Sequence, residues 1–245
     1  MPGPASRRRR VDFSGVRAIA FDAYGTVIDF HEGDFVTLFA ELLAHQGLEG
    51  DAGQLWRHFL RAAYQLRSEN HHRPAYTRFV AAWARQFEIA FRRLGLPGDP
   101  LAAAQYIKRR LADAPADPQA APVLDALRGR YPVALLSNAD DDFLLECLER
   151  NGLRFDLVVT SERAGALKPD PAIFQRLLEE LNLPAESVLY VGDQPIPDVL
   201  GARRAGLRVV WLDRAGRRRP RQVPPPDLRL RSLSELLPHL VPDHA

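Results

Sequence analysis

The stretch Ala18-Ile19-Ala20-Phe21-Asp22-Ala23-Tyr24-Gly25-Thr26-Val27 decides how this chain folds. Four apolar residues run straight into a carboxylate and then a glycine. A run that short, ending that way, suits a strand buried on both faces of a parallel sheet. Working outward, residues 133–136, 157–159, 188–191 and 209–212 are further short apolar runs with the same β-branched character. Helical stretches follow the later ones at 141–150, 171–181 and 197–205, with Gly152 and Gly206 placed as C-terminal stops. Strands alternating with helices of that size predict an α/β fold, a doubly wound parallel sheet.

Between the first two strands the sequence reads as helix throughout. Phe35, Leu38, Phe39, Leu42 and Leu43 keep the helical period and Gly47 closes them. Leu55, Phe59, Ala63 and Leu66 mark a second helix, and Phe79, Trp83, Phe87 and Leu94 a third ending at Gly95. The segment 114–118, rich in Pro and Ala, returns the chain to the sheet. The expected organisation is therefore a basic tail over 1–15, an α/β core over 16–30 and 115–245, and a helical insertion over 31–114. Residues 224–226 read as a surface loop before a short last helix at 232–237.

Composition limits the function. The 245 residues are 46% hydrophobic and 26% charged, which is ordinary globular usage and excludes disorder. One cysteine, Cys147, cannot form a disulfide within the chain, and a lone thiol suits a reducing cytoplasm. No apolar run reaches the roughly 18 residues of a membrane helix. A net charge of +2 offers little to nucleic acid. Arg7 to Arg10 and Arg217, Arg218, Arg219 and Arg221 are clustered, but no aromatic residues interleave with them, so a solvated tail and a solvated loop are expected. The partner implied is a small molecule, bound by a monomer or homodimer.

Ligands of parallel sheets bind beyond the C-terminal ends of the strands. Asp22 ends the first strand, Ser137 and Asn138 the second, and Asp193 follows Gly192 at the fourth. Lys168 precedes Pro169 ahead of the 171–181 helix, and Asp198 opens the following one. Taken singly each has a plain structural use: a carboxylate after a strand caps helices, Ser-Asn makes turns, and Asp198 reads as a first-turn acid. Lys168 stands out because Lys108 is the chain's one other lysine among many arginines, and a compact point charge differs from a planar fork. Their joint occurrence at successive strand ends points to a site.

Phe-Asp-Ala-Tyr-Gly-Thr, Leu-Ser-Asn, Lys168-Pro and Val-Gly-Asp-Gln-Pro-Ile-Pro-Asp together resemble, in order and spacing, the four motifs of the haloacid dehalogenase-like hydrolase superfamily, in the group with a helical cap after the first strand. The resemblance covers residues 18–216. It implies covalent catalysis with Asp22 as nucleophile and Lys168 holding the charges of nucleophile and substrate together. Ser137, Asn138, Thr26 and the backbone of the turn at Gly25 would bind the transferring group.

Two chemistries of that superfamily compete here. Phosphatases place an acid two residues after the nucleophile, where this chain has Tyr24. Asp-Ala-Tyr-Gly-Thr resembles the L-2-haloacid dehalogenases, whose halide needs no proton, and Arg57 resembles the arginine that receives it. An exposed arginine among many is the plain alternative for Arg57. Gly192-Asp193 with one extra residue before Asp198 points the other way, to the magnesium-dependent phosphatases. Two carboxylates side by side without a cation would raise one another's pKa and weaken the nucleophile. Mg²⁺ held by Asp22, the Tyr24 carbonyl, Asp193 and Asp198 removes that difficulty. The balance favours a magnesium-dependent phosphatase over a dehalogenase, with a non-catalytic binding protein as the third reading. His31, Arg57, Arg61, Arg67, His71 and Arg73 are the insertion's candidates to face substrate.

Overall fold

The computed structural model describes residues 11–69 and 76–241. Six strands form one parallel sheet: β1 (Ala18–Phe21), β2 (Val133–Ser137), β3 (Leu157–Thr160), β4 (Val188–Gly192), β5 (Arg208–Leu212) and β6 (Leu228–Leu230). Their order is β3-β2-β1-β4-β5-β6, so β1 is central and the order reverses beside it. Ligands of such sheets bind at that crevice. Asp22 follows β1 directly, so the nucleophile candidate stands at the switch point.

Alternate residues of the strands face opposite sides, as the pleat requires. Ile19, Phe21, Leu135, Val191 and Val210 join one core, and Ala18, Ala20, Leu136, Tyr190, Val209 and Trp211 the other. The first is covered by α5 (Ala120–Leu127) and α6 (Asp141–Arg150), and the second by α8 (Pro171–Leu181) and α9 (Gly201–Arg204), with α7 (Ser161–Ala164) a single turn after β3.

The helical insertion is α1 (Asp34–His45), α2 (Ala52–Glu69), α3 (Phe79–Leu94) and α4 (Pro100–Ala112). Its centre is aromatic: Phe35 stacks on Trp56 at 4.6 Å, and Phe39, Phe59 and Phe87 pack beneath them. It is tied to the sheet at several points. Phe79 N donates to the buried Asp140 carboxylate at 2.8 Å, and the Tyr76 hydroxyl donates to the same side chain. Lys108 pairs with Asp142 at 2.6 Å, which gives that lysine a role the sequence left unassigned.

Three expectations are corrected. The segment at 197–205 is not one α-helix: residues Pro195–Leu200 form a π-turn before α9, with Val199 N bonding five residues back to Gln194 O at 3.2 Å. A π-turn accommodates one residue more than an α-turn, and here it takes up the extra residue between Asp193 and Asp198. The last helix splits into a three-ten turn (Leu233–Leu236) and α10 (Leu237–Leu240). The arginine loop is not wholly solvated, because Arg217 donates to Asp213 and to the Asp193 carbonyl, and Arg219 to the Val223 carbonyl. Arg7 to Arg10 lie outside the described residues.

Candidate active site

Asp22 and Asp193 directly follow β1 and β4, Lys168 lies in the loop between α7 and α8, and Asp198 lies in the π-turn after β4. Asp22, Lys168, Asp193 and Asp198 are all buried at the C-terminal edge of the sheet. Lys168 Nζ donates to Asp22 Oδ1 at 2.6 Å, to Asp198 Oδ1 at 2.7 Å and to the Tyr190 hydroxyl at 2.9 Å. The lysine is itself held by its backbone: Asn138 Oδ1 accepts from Lys168 N at 2.7 Å, and Asn138 Nδ2 donates to Lys168 O at 3.1 Å. Asn138, expected to bind substrate oxygens, thus spends its side-chain amide on placing Lys168. Ser137 is buried at the end of β2, and among the described residues its hydroxyl makes no hydrogen bond. Thr26 Oγ1 makes a long contact, 3.4 Å, to Asp22 Oδ2.

Asp198 answers both descriptions offered by the sequence. Its Oδ2 accepts from Gln194 N at 2.8 Å, as a carboxylate does at the start of a helix, while Oδ1 takes Lys168 and Tyr190. Asp193 differs. Oδ2 accepts from its neighbour Gln194 at 2.8 Å, and among the described residues Oδ1 is buried with no hydrogen-bond partner.

Oxygens of Asp22, Asp193 and Asp198 lie within 4.8 Å of one another. Burial pushes Asp22 up to about 7, against the pull of Lys168, with the charges of Asp198 and Asp193 adding to the rise. Burial and then Asp198 push Asp193 up to about 7 as well, against Arg217. Burial works against the charge of Lys168, but Asp198 and Asp22 win and raise its pKa. Three carboxylates against the Lys168 ammonium and the Arg217 guanidinium, 3.7 Å from Asp193 Oδ2, still leave negative charge in excess. An uncompensated buried charge is costly, and hard oxygen donors in a tight cluster are what Mg²⁺ takes as ligands. The unpartnered Asp193 oxygen therefore fits a cation.

Tyr24 does not aim its phenol at the carboxylates. Its hydroxyl donates to the Leu111 carbonyl in α4 at 3.2 Å, and its ring lies 6.2 Å from Phe143 and 6.4 Å from Phe30. The residue thus joins the loop after β1 to the insertion. Arg57 and Arg61 are exposed on α2. His31 bonds Asp29 at 3.0 Å and lines a cavity of about 380 Å³ with Gly25, Asp193, Arg214 and Arg217. The side chain of Arg67, and all of His71 and Arg73, lie outside the described residues.

Two functional neighbours went unread in the sequence. Arg214 donates to the carbonyls of Gly25 at 2.5 Å and Thr26 at 3.1 Å while pairing with Asp117 at 2.6 Å, so it pins the turn after Asp22. Its position two residues past β5 was the signal, hidden by arginine-rich surroundings. Tyr190 was legible only as one polar-tipped residue inside an apolar strand.

The model of the haloacid dehalogenase-like hydrolases matches residues 16–206. A phosphoserine phosphatase of Thermus thermophilus is 34% identical over 216 residues, spanning 84% of this chain and 79% of that one. An (S)-2-haloacid dehalogenase of Burkholderia cepacia is 30% identical over 237 residues, spanning 92% and 95%. Among solved structures, a dehalogenase with an intermediate complex superposes with a TM-score of 0.75 at 26% identity, covering 95% of this chain and all of that one. The chain is thus similar to relatives of both chemistries, and it belongs to the haloacid dehalogenase-like hydrolases.

Proposed function

We propose that this hydrolase is a magnesium-dependent phosphatase of small phosphorylated molecules. The observation that carries the reading is the buried, unpartnered Oδ1 of Asp193 in a cluster with Asp22 and Asp198. A halide-releasing site has no use for that excess of negative charge. Asp22, Asp193 and the Tyr24 carbonyl would hold the ion, with Asp198 flanking it through Lys168 and Gln194. Bound Mg²⁺ would offset the carboxylate charge and draw electron density from the transferring phosphoryl group.

Asp22 attacks phosphorus and forms an aspartyl phosphate, and the leaving oxygen departs with the bond's electron pair. Water then hydrolyses that ester and regenerates the carboxylate. Lys168 works against the burial that raises the pKa of Asp22 and offsets charge on the phosphoryl oxygens, and Ser137 with the amides after Asp22 donates to them. Position 24 has no acid to protonate the leaving oxygen, so acyl and aryl phosphates are favoured over alkyl ones. The helices of the insertion act as the cap that selects substrate. A lone buried thiol at Cys147 accords with a cytoplasmic setting.

A second reading rests on Tyr24 itself. Without an acid there, the site also suits a halide leaving group, as in the dehalogenase relatives, with Arg57 as the candidate halide acceptor. Phosphate release from p-nitrophenyl phosphate and a phosphomonoester panel, run in Mg²⁺ and in EDTA beside halide release from 2-chloropropionate, tests the choice. Phosphate release that EDTA abolishes is the expected result. Halide release at full rate in EDTA would establish the dehalogenase.

A further inference from the structure

We infer that Tyr190 is a positioning residue for Lys168, and that its hydroxyl commits Asp198 to the lysine. An ammonium has three N–H donors. All three are used, on Asp22 Oδ1, Asp198 Oδ1 and the Tyr190 oxygen, at 2.6, 2.7 and 2.9 Å. The Tyr190 hydroxyl in turn faces Asp198 Oδ1 at 3.0 Å and the Leu136 carbonyl at 3.3 Å. It has one proton, and the charged, nearer oxygen is the better acceptor.

The three groups close a ring: lysine to tyrosine, tyrosine to Asp198, lysine to Asp198. A phenol is protonated at neutral pH, so Tyr190 carries the one proton the ring needs. The strand fixes the geometry. Tyr190 lies in β4 three residues before Asp193, on the face opposite Val191, with its ring edge-on to Phe174 at 5.5 Å. With Tyr190 in place, Lys168 points at Asp22 before any substrate arrives. That is preorganisation of a charge that would otherwise have to be turned at the moment of reaction.

The test uses Tyr190→Phe in the full chain, with p-nitrophenyl phosphate and Mg²⁺ as kinetic probe. We expect kcat to fall about tenfold while KM stays within about twofold, because the loss is of orientation and not of substrate contact. The second readout is the side-chain ammonium ¹⁵N signal of Lys168, one of two lysines in the chain. In wild type it should exchange slowly with water and show cross-relaxation to the Tyr190 ring. In Tyr190→Phe it should exchange at least about tenfold faster, since one N–H then lacks a buried partner. Phe174→Leu, which disturbs the packing of the ring and leaves the hydroxyl, should keep kcat within about twofold of wild type.

A Tyr190→Phe kcat within twofold of wild type overturns the proposal, as does an unchanged ammonium signal. If that variant does not fold, the wild-type spectrum decides, and absence of cross-relaxation between Lys168 and the Tyr190 ring overturns it. The kinetic arm rests on the phosphatase reading and the spectroscopic arm does not. A wild type that releases no phosphate but shows the protected ammonium would sink the reading and keep the positioning role.

Discussion

The backbone of Gly25 is pressed against the carboxylate of Asp193. A Cβ at Gly25 would stand 2.8 Å from Asp193 Cγ and 2.9 Å from each oxygen, and its φ of 86° is one that L side chains rarely adopt. Gly25→Ala should therefore move the Asp193 carboxylate and weaken Mg²⁺ binding by about tenfold or more, with the strain of a positive φ near 1–2 kcal/mol on stability. Calorimetric titration with Mg²⁺, alongside a thermal melt, measures both. An alanine variant with wild-type affinity would show that this contact does not set the site.

Asp22→Asn should abolish turnover and leave the melting temperature equal to or above that of wild type. An amide cannot form the covalent ester, and removing one buried negative charge relieves repulsion with Asp193 and Asp198. Residual turnover near the wild-type rate would remove Asp22 from the chemistry.

Tyr24→Asp should raise the rate on alkyl phosphates by about 10²-fold where the new acid is well placed, and change p-nitrophenyl phosphate little. The Tyr24 hydroxyl now holds the Leu111 carbonyl, so the variant also loses a tie to α4 and should melt at a lower temperature. The ratio of alkyl to aryl rates separates the two effects. If that ratio is unchanged in a folded variant, a missing acid does not limit this enzyme.

The metal-free chain should lose stability as pH rises from about 5 to 8. The folded chain holds protons at Asp22 and Asp193 up to about 7, while the unfolded carboxylates release theirs near 3.8. More protons bound in the folded state means that stability falls with rising pH across that window and levels off above it. Melts in EDTA from pH 5 to 8 should show the slope, and Asp193→Asn should flatten it. Identical pH dependence in wild type and variant would contradict the assignment.

Much of this fold was readable because it rests on local rules. The short apolar runs before Asp22, Ser137 and Gly192 have the length and residue types that suit doubly buried strands, and α6, α8 and α3 keep their apolar periods. The strand β6 went unseen because Leu-Arg-Leu at a sheet edge is too short to carry a pattern. The π-turn at Pro195–Leu200 has no periodicity of its own, although the extra residue that causes it was visible in the sequence. In the site, motif order brought Asp22, Lys168, Asp193 and Asp198 together. What it could not give was direction: that Asn138 grips the Lys168 backbone, or that Tyr24 faces α4, follows from register and packing between segments far apart in the chain.

The Asp140 carboxylate, three residues beyond Ser137, accepts the first amide of α3 from across the molecule. An acceptor at a helix start is worth roughly 0.5–2 kcal/mol, and α3 has no side-chain cap in its own neighbourhood. The insertion is therefore not a self-sufficient module. Cut out as residues 31–114, it would carry a helix with a bare end and the unmatched charges of Arg78 and Lys108, which pair with Asp142 in the whole chain. Anyone transplanting these helices onto another sheet to change what it hydrolyses would have to carry Asp140 and Asp142 with them.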